Sequence, residues 1–188
     1  MNATIVYAHP WNNSFNHAIL EKVIETLKGR NDEVSIIDLY KDKFNPVMTE
    51  EDLNLYMKGE SADPLVVHYN EILDKTDKII FIFPIWWYDM PAIMRGFLDK
   101  VLLSGSSYIE DNGMHPVRNI EHTVILTTSS APTDSLINDF GDPMNGTMIK
   151  GTFNAVGFFN AVWHNYGVIG SATRAETEHY LTTIPELV

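Results

Sequence analysis

The chain has 188 residues, no cysteine and a formal net charge of −12 at pH 7. That length suits one domain, 1–188, with a full core. The acidic balance argues against a nucleic-acid binder that relies on a basic patch. The lack of cysteine removes disulfides, thiol catalysis and thiolate metal sites. Met1–Tyr7 carries neither the basic start nor the long apolar core of a secretory leader. No run approaches the ~20 apolar residues of a membrane span. A soluble cytoplasmic protein is the expectation.

In chain order, Ala3 to Ala8 reads as a short first strand, followed by the loop His9-Pro10-Trp11-Asn12-Asn13. A helix starts near Ser14: Phe15, Ala18, Ile19, Val23, Ile24 and Leu27 recur at helical spacing, and Gly29 is a natural stop. Val34 to Leu39 gives a second strand. Thr49-Glu50-Glu51-Asp52 resembles a capped helix start with Asp in place of the usual Glu or Gln. Asp63-Pro64 is a stronger start, with Asp as cap and Pro at the first helical position, for a helix to about Thr76.

Lys78 to Phe83 is an apolar, β-branched run that reads as a strand buried on both faces. Pro84 removes a backbone donor and is expected to end the ladder, so that Trp86, Trp87 and Tyr88 emerge just past the strand. Pro91 suits the first position of a helix over 91–103. Residues 104–118 read as loop, holding Tyr108 and His115. Thr123 to Thr127 is a fourth strand, leading into Thr128-Ser129-Ser130. A helix around 147–157, a fifth strand around 160–169 and a last helix from about Ala175 complete the chain.

Strands alternating with helices at short intervals imply a parallel sheet covered on both faces, with right-handed crossovers. Five such strands predict an α/β, flavodoxin-like, doubly wound five-stranded parallel sheet. Its ligand edge gathers the loops after strands one, three and four. In the first, Ser14 or Asn16 can cap the helix, either for structure alone or while free N–H groups face an anion. The Trp-Trp-Tyr run serves either as core or as a platform for a flat, π-rich ligand. Thr127-Thr128-Ser129-Ser130 is either a plain turn or a set of donors for a polar ring edge. The first loop is neither a G-x-G-x-x-G nor a P-loop. The seven histidines show no metal-ligand spacing, and no G-x-S-x-G nucleophile motif occurs.

These residues together resemble the NAD(P)H:quinone oxidoreductase family of flavodoxin-like flavoproteins. Ala8-His9-Pro10 with Ser14-Phe15-Asn16 is similar to the family's first, phosphate-side loop. Phe83-Pro84-Ile85-Trp86-Trp87, followed by Pro91-Ala92-Ile93 and Gly96-Phe97, is similar to its flavin-ring loop and the helix after it. Phe44-Asn45-Pro46-Val47 and the insertion to Thr76 resemble the quinone-reductase branch.

The resemblance implies a homodimer with active sites at the subunit interface. It also implies two-electron ping-pong hydride transfer from NAD(P)H through flavin to a quinone or similar small aromatic acceptor. His9, Ser14, Phe15, Asn16 and Ala18 would sit on the phosphate side. Pro84, Ile85, Trp86 and Trp87 would line the isoalloxazine, and Thr127, Thr128 and Ser129 its polar edge. Tyr108 matches a tyrosine that reaches over the substrate pocket.

The branch implies FAD, with FMN as the alternative. This chain has Thr127-Thr128-Ser129-Ser130 where better-known members have Thr-Thr-Gly-Gly. Phe140 stands before Gly141-Asp142 where those members carry the histidine of a charge relay, so Phe140 is placed at the substrate pocket and no acid or base is assigned. A regulatory flavoprotein subunit of an ion-efflux system, or a flavodoxin-like electron carrier, are the alternative functions.

Overall fold

The computed structural model describes residues 1–188. Five parallel strands form one sheet: β1 (Asn2–Tyr7), β2 (Glu33–Asp38), β3 (Lys78–Pro84), β6 (His122–Thr128) and β7 (Val162–Tyr166). Their spatial order is β2-β1-β3-β6-β7. This is the predicted flavodoxin-like doubly wound sheet, with β3 at its centre. Alternation along β3 explains both cores. Ile79, Phe81 and Phe83 face one side, packing with Tyr69, Met94, Phe97, Phe153 and Phe158. Ile80 and Ile82 face the other, with Ile19, Val23 and Leu27 of α1 (Phe15–Gly29) and Ile184 of α7 (Arg174–Leu187). Each such buried side chain contributes about 1.5–3 kcal/mol, which is why the central strand admits no polar residue past Lys78.

The edges of the predicted elements need several corrections. Pro84 does not end the ladder towards β6: it lies opposite Thr128 in register, and Ile85 N–H donates to the Thr128 carbonyl at 2.7 Å. Backbone groups point to alternate neighbours along a strand, so the proline nitrogen faces β1. That side has already closed with Ala8 N–H on the Ile82 carbonyl, and the missing donor costs nothing there. Pro91 caps α4 (Ala92–Val101) from outside the first turn.

Residues 104–118 are not plain loop. They hold an antiparallel hairpin, β4 (Tyr108–Glu110) and β5 (Met114–Pro116), turned by Asn112 and Gly113 at positive φ. A short helix that the apolar periodicity does not signal, α5 (Thr133–Asn138), follows β6. The segment expected as an α-helix over 147–157 is π-helical over Met144–Phe153 and closes in one turn, α6 (Asn154–Val156). The fifth strand, Val162–Tyr166, is shorter than the expected 160–169.

Two helices of the insertion form as their caps dictate. α2 (Glu50–Tyr56) has a complete capping box: the Thr49 hydroxyl accepts from Asp52 N–H while the Asp52 carboxylate accepts from Thr49 N–H. Asp is therefore long enough to close the box. α3 (Pro64–Leu73) starts on Asp63, whose carboxylate accepts from Leu65 N–H at 3.0 Å. It ends three residues before Thr76. No helix is long and apolar enough to cross a membrane.

Candidate functional site

The loops after β1, β3 and β6 meet at the carboxyl edge of the sheet, and named contacts tie them together. Asn16 Nδ2 donates to the Thr128 hydroxyl at 2.7 Å, joining the first loop to the third. Ile85 N–H on the Thr128 carbonyl joins the second to the third. The His9 and Trp86 rings meet edge-on with centroids 6.4 Å apart, joining the first to the second.

At the start of α1, Ser14 is the cap, its hydroxyl accepting from His17 N–H at 3.1 Å. The structure thus chooses Ser14 over Asn16. The first turn carries no acid, and Phe15 and Asn16 N–H have no partner in the chain, as expected for a helix N-terminus. Asn16 is 3% exposed, yet its Oδ1 and the neighbouring His17 Nδ1 lack hydrogen-bond partners. An orphaned acceptor in so buried a place suits a donor from a ligand, such as a sugar hydroxyl, beside N–H groups that suit a phosphate. Ala18 follows on the same helix, half-buried. Trp11 N–H donates to His9 Nδ1 at 3.1 Å, which leaves the neutral ring's proton on Nε2. Burial holds the His9 pKa below its usual value, so at neutral pH this ring can donate one hydrogen bond.

The aromatic stretch is a tight turn. Trp86 N–H donates to the Asp89 carbonyl at 2.9 Å, and Asp89 N–H returns to the Trp86 carbonyl at 3.2 Å. Trp87 and Tyr88 both have positive φ, +50° and +67°, the pattern of a type I′ turn normally built from Asn and Gly. Bulky residues there cost of order 1–3 kcal/mol each. The strain presents Trp87 to solvent at 93% exposure. Ile85, Trp86, Trp87 and Tyr88 form one wall of a cavity of about 520 Å³, and Ser129, Ser130, Ala131 and Leu136 form the other. Pro84, buried, closes the strand behind that wall.

The hydroxyls of the third loop point inward. Thr127 Oγ1 donates to Asn165 Oδ1 at 2.8 Å and accepts from Trp163 Nε1 at 2.8 Å. Ser129 Oγ donates to the Ala131 carbonyl and accepts from Asn165 Nδ2. Thr128 Oγ1 holds Asn16. What this loop offers a ligand is the exposed Ser130 hydroxyl and backbone: Ser130 and Ala131 N–H have no acceptor in the chain. Asn165 and Trp163 were missed from sequence because they sit inside a strand, away from the ligand-edge loops, and act through the third loop. Tyr88 was legible only as the third member of an aromatic run.

Tyr108 and Phe140 lie apart from each other. The Tyr108 hydroxyl donates to Tyr56 Oη at 3.2 Å, and Tyr56 in turn donates to the Leu102 carbonyl at 3.0 Å. Both tyrosines line a second cavity of about 530 Å³ between α2, α4 and the hairpin, with Met48, Leu53 and Met114. Tyr108 does not line the cavity walled by the aromatic turn. Phe140, exposed after α5, stacks on Tyr88.

Comparison with known proteins gives one family. A family model, Flavodoxin_2, described as a flavodoxin-like fold, matches residues 1–182. An uncharacterized NAD(P)H oxidoreductase of Haemophilus influenzae is 30% identical over 174 residues, 90% of this chain and 85% of that protein. The guinea-pig (Cavia porcellus) NAD(P)H dehydrogenase [quinone] 1 is 28% identical over 83% of this chain, but the match spans only 64% of that longer protein. The solved NAD(P)H:quinone oxidoreductase of Methanothermobacter marburgensis superposes with a TM-score of 0.86 at 24% identity, covering 99% of this chain and 96% of that one. With the family model covering nearly its whole length, this chain belongs to the flavodoxin-like-fold family, among relatives named as NAD(P)H oxidoreductases.

Proposed function

We propose that this protein is a flavin-dependent NAD(P)H:quinone oxidoreductase, with FAD as the flavin. The observation that carries the proposal is the convergence at one sheet edge of an acid-free helix N-terminus, a buried orphan acceptor on Asn16 and an aromatic-walled cavity. Phosphate, sugar hydroxyls and a flat ring system are the chemistries those three features fit, and a flavin nucleotide contains all three. The names of the Haemophilus and guinea-pig relatives support the nucleotide and the acceptor. A bound flavin supplies two-electron chemistry between NAD(P)H and a quinone.

The chain's own residues bind and orient. Phe15 and Asn16 N–H with the α1 dipole hold phosphate, and His9 Nε2–H adds a neutral donor. Asn16 Oδ1 accepts from the sugar chain. Trp86 and Trp87 supply ring surface and exclude water, while Ser130 and Ala131 N–H face the polar ring edge. Of the third-loop hydroxyls, Thr127 and Ser129 already donate within the chain and Thr128 accepts from Asn16, so their part is to hold the loop in shape.

A homodimer belongs to the same proposal. The hairpin and α2 expose Leu53, Met57, Ile109 and Met114, each more than half exposed, around the cavity that holds Tyr108. A second copy covering this face would bring Tyr108 to a partner's site; sedimentation at micromolar concentration should give twice the 21.3 kDa chain mass, and a monomer would refute it. Steady-state assays with NADH, NADPH and a naphthoquinone test the activity. Turnover with either nucleotide is expected. A protein that binds flavin but turns over no quinone would instead match a regulatory subunit or an electron carrier.

A further inference from the structure

Tyr88 and Phe140 form a near-parallel ring pair, with centroids 3.9 Å apart and planes at 23°. Other close ring pairs, such as Phe81–Phe153 and Tyr166–Tyr180, are tilted. The pair joins two segments that need each other. Tyr88 belongs to the strained turn, whose backbone hydrogen bonds run between Trp86 and Asp89, with the Asp89 carboxylate accepting from Met90 N–H at 2.7 Å. Trp87, almost wholly exposed, packs on nothing that could hold that turn.

Phe140 comes from the loop that follows α5, behind the other wall. Its N–H donates to the Ser135 carbonyl, and Asp142 N–H donates to the Leu136 carbonyl, so the loop is fastened to α5. Leu136 of that helix lines the same cavity as Tyr88. Gly141 and Asp142, at φ +78° and +49°, turn the chain sharply after Phe140 and set its ring back towards Tyr88. Phe140 itself is outside the cavity wall; Tyr88 is in it. The phenyl ring is thus a brace, reaching across from α5 to hold one ring of the opposite wall.

We infer that Phe140 is a positioning residue: through its stack on Tyr88 it holds the aromatic turn in the shape that grips a flat aromatic acceptor. The inference rests on the reductase proposal above and deepens it, because it names what selects the acceptor. Stacked aromatic pairs contribute enough, beyond area alone, to change an equilibrium about two- to tenfold. Phe140 is 46% exposed, so its replacement should leave folding intact.

The test compares Phe140→Tyr, Phe140→Leu and Phe140→Ala with the parent protein, using 2-methyl-1,4-naphthoquinone as probe. Steady-state kinetics and equilibrium binding, the latter followed by quenching of tryptophan fluorescence, give two independent readouts. Phe140→Tyr should match the parent. Phe140→Leu and Phe140→Ala should raise KM and the binding constant about three- to tenfold, with kcat within about twofold. Near-ultraviolet circular dichroism should weaken in these two variants and persist in Phe140→Tyr. Leu behaving as well as Tyr would reduce the contact to simple packing and overturn the inference, as would an unchanged KM in Phe140→Ala. Absence of quinone turnover in the parent protein would instead refute the reductase proposal, and the fluorescence arm would still judge the brace.

Discussion

Asn165 is a single side chain that fixes the third loop of the site. Its carboxamide accepts from Thr127 and donates to Ser129 and Thr133, at 2.8, 2.9 and 2.9 Å. Removing it in Asn165→Ala leaves three hydroxyls to find other partners and should cost about 2–3 kcal/mol of stability. Urea denaturation should show a lower midpoint at unchanged slope; a midpoint within error of the parent would mean that water replaces the carboxamide freely. The effect on flavin should be indirect, through displacement of Ser130 and Ala131.

At this scale the sequence was readable in residue type and blind in direction. Thr127, Thr128 and Ser129 stood out as hydroxyls in a loop at the ligand edge. Nothing in a run of hydroxyls says that Thr127 turns towards β7 while Thr128 turns towards Asn16. Likewise Trp87 and Tyr88 were visible as aromatics, but a type I′ turn without Asn or Gly carries no sequence signal. Backbone strain of that kind breaks the local rule by which such turns are recognised.

Among the elements, the insertion between β2 and β3 depends on α4. Lys100, only 4% exposed, lies 3.4 Å from Asp52 and 3.3 Å from Asp63, and also donates to the Asn45 carbonyl. Gly96, one turn earlier, leaves room for Pro46: a Cβ there would stand 2.2 Å from the proline Cβ. The chain therefore crosses α4 at Gly96 and is fastened at Lys100. In Lys100→Met both carboxylates lose their buried cation, with an expected loss of about 3 kcal/mol, measured by thermal or urea denaturation. A loss below 1 kcal/mol would show the pair to be solvated.

The same site sets an acid limit. Burial pushes the Asp52 carboxyl upwards, but hydrogen bonds from Thr49 and the Lys100 charge outweigh it and hold its pKa below the usual value. A carboxyl depressed in the fold contributes its stability above the unfolded pKa, about 3.9. That contribution disappears as pH falls through the lower, folded value. Stability should therefore decline below about pH 4, and Asp52→Asn should flatten that decline; an equally steep decline in the variant would assign it to other carboxylates. The capping box of α2 and the Asp63-Pro64 start of α3 were legible because capping is local. The lysine was not, since a Lys near the end of an amphipathic helix looks like solvent-facing surface until its partners arrive from 37 and 48 residues away.

For the molecule as a whole, the alternation of buried strands and helices was enough to give the doubly wound five-stranded parallel sheet. Apolar runs with period-breaking loops report burial on both faces, and right-handed crossovers then leave few topologies. The hairpin β4–β5 and the π-helical segment escaped, the first because its strands are three residues long and exposed. The second escaped because a π-helix has no periodicity that sequence alone separates from an α-helix.

Two of the molecule's cavities are of similar size, one walled by the aromatic turn and one holding Tyr108. They remain separate within one copy of the chain. What the cavity beside the aromatic turn binds therefore decides the function. The most direct measurement is the absorption spectrum of the purified protein, before and after anaerobic addition of NADPH or NADH, with mass spectrometry of the released chromophore. A yellow protein that releases FAD and is bleached directly by a pyridine nucleotide is the result this account predicts. A protein that stays colourless after incubation with both FAD and FMN would contradict it.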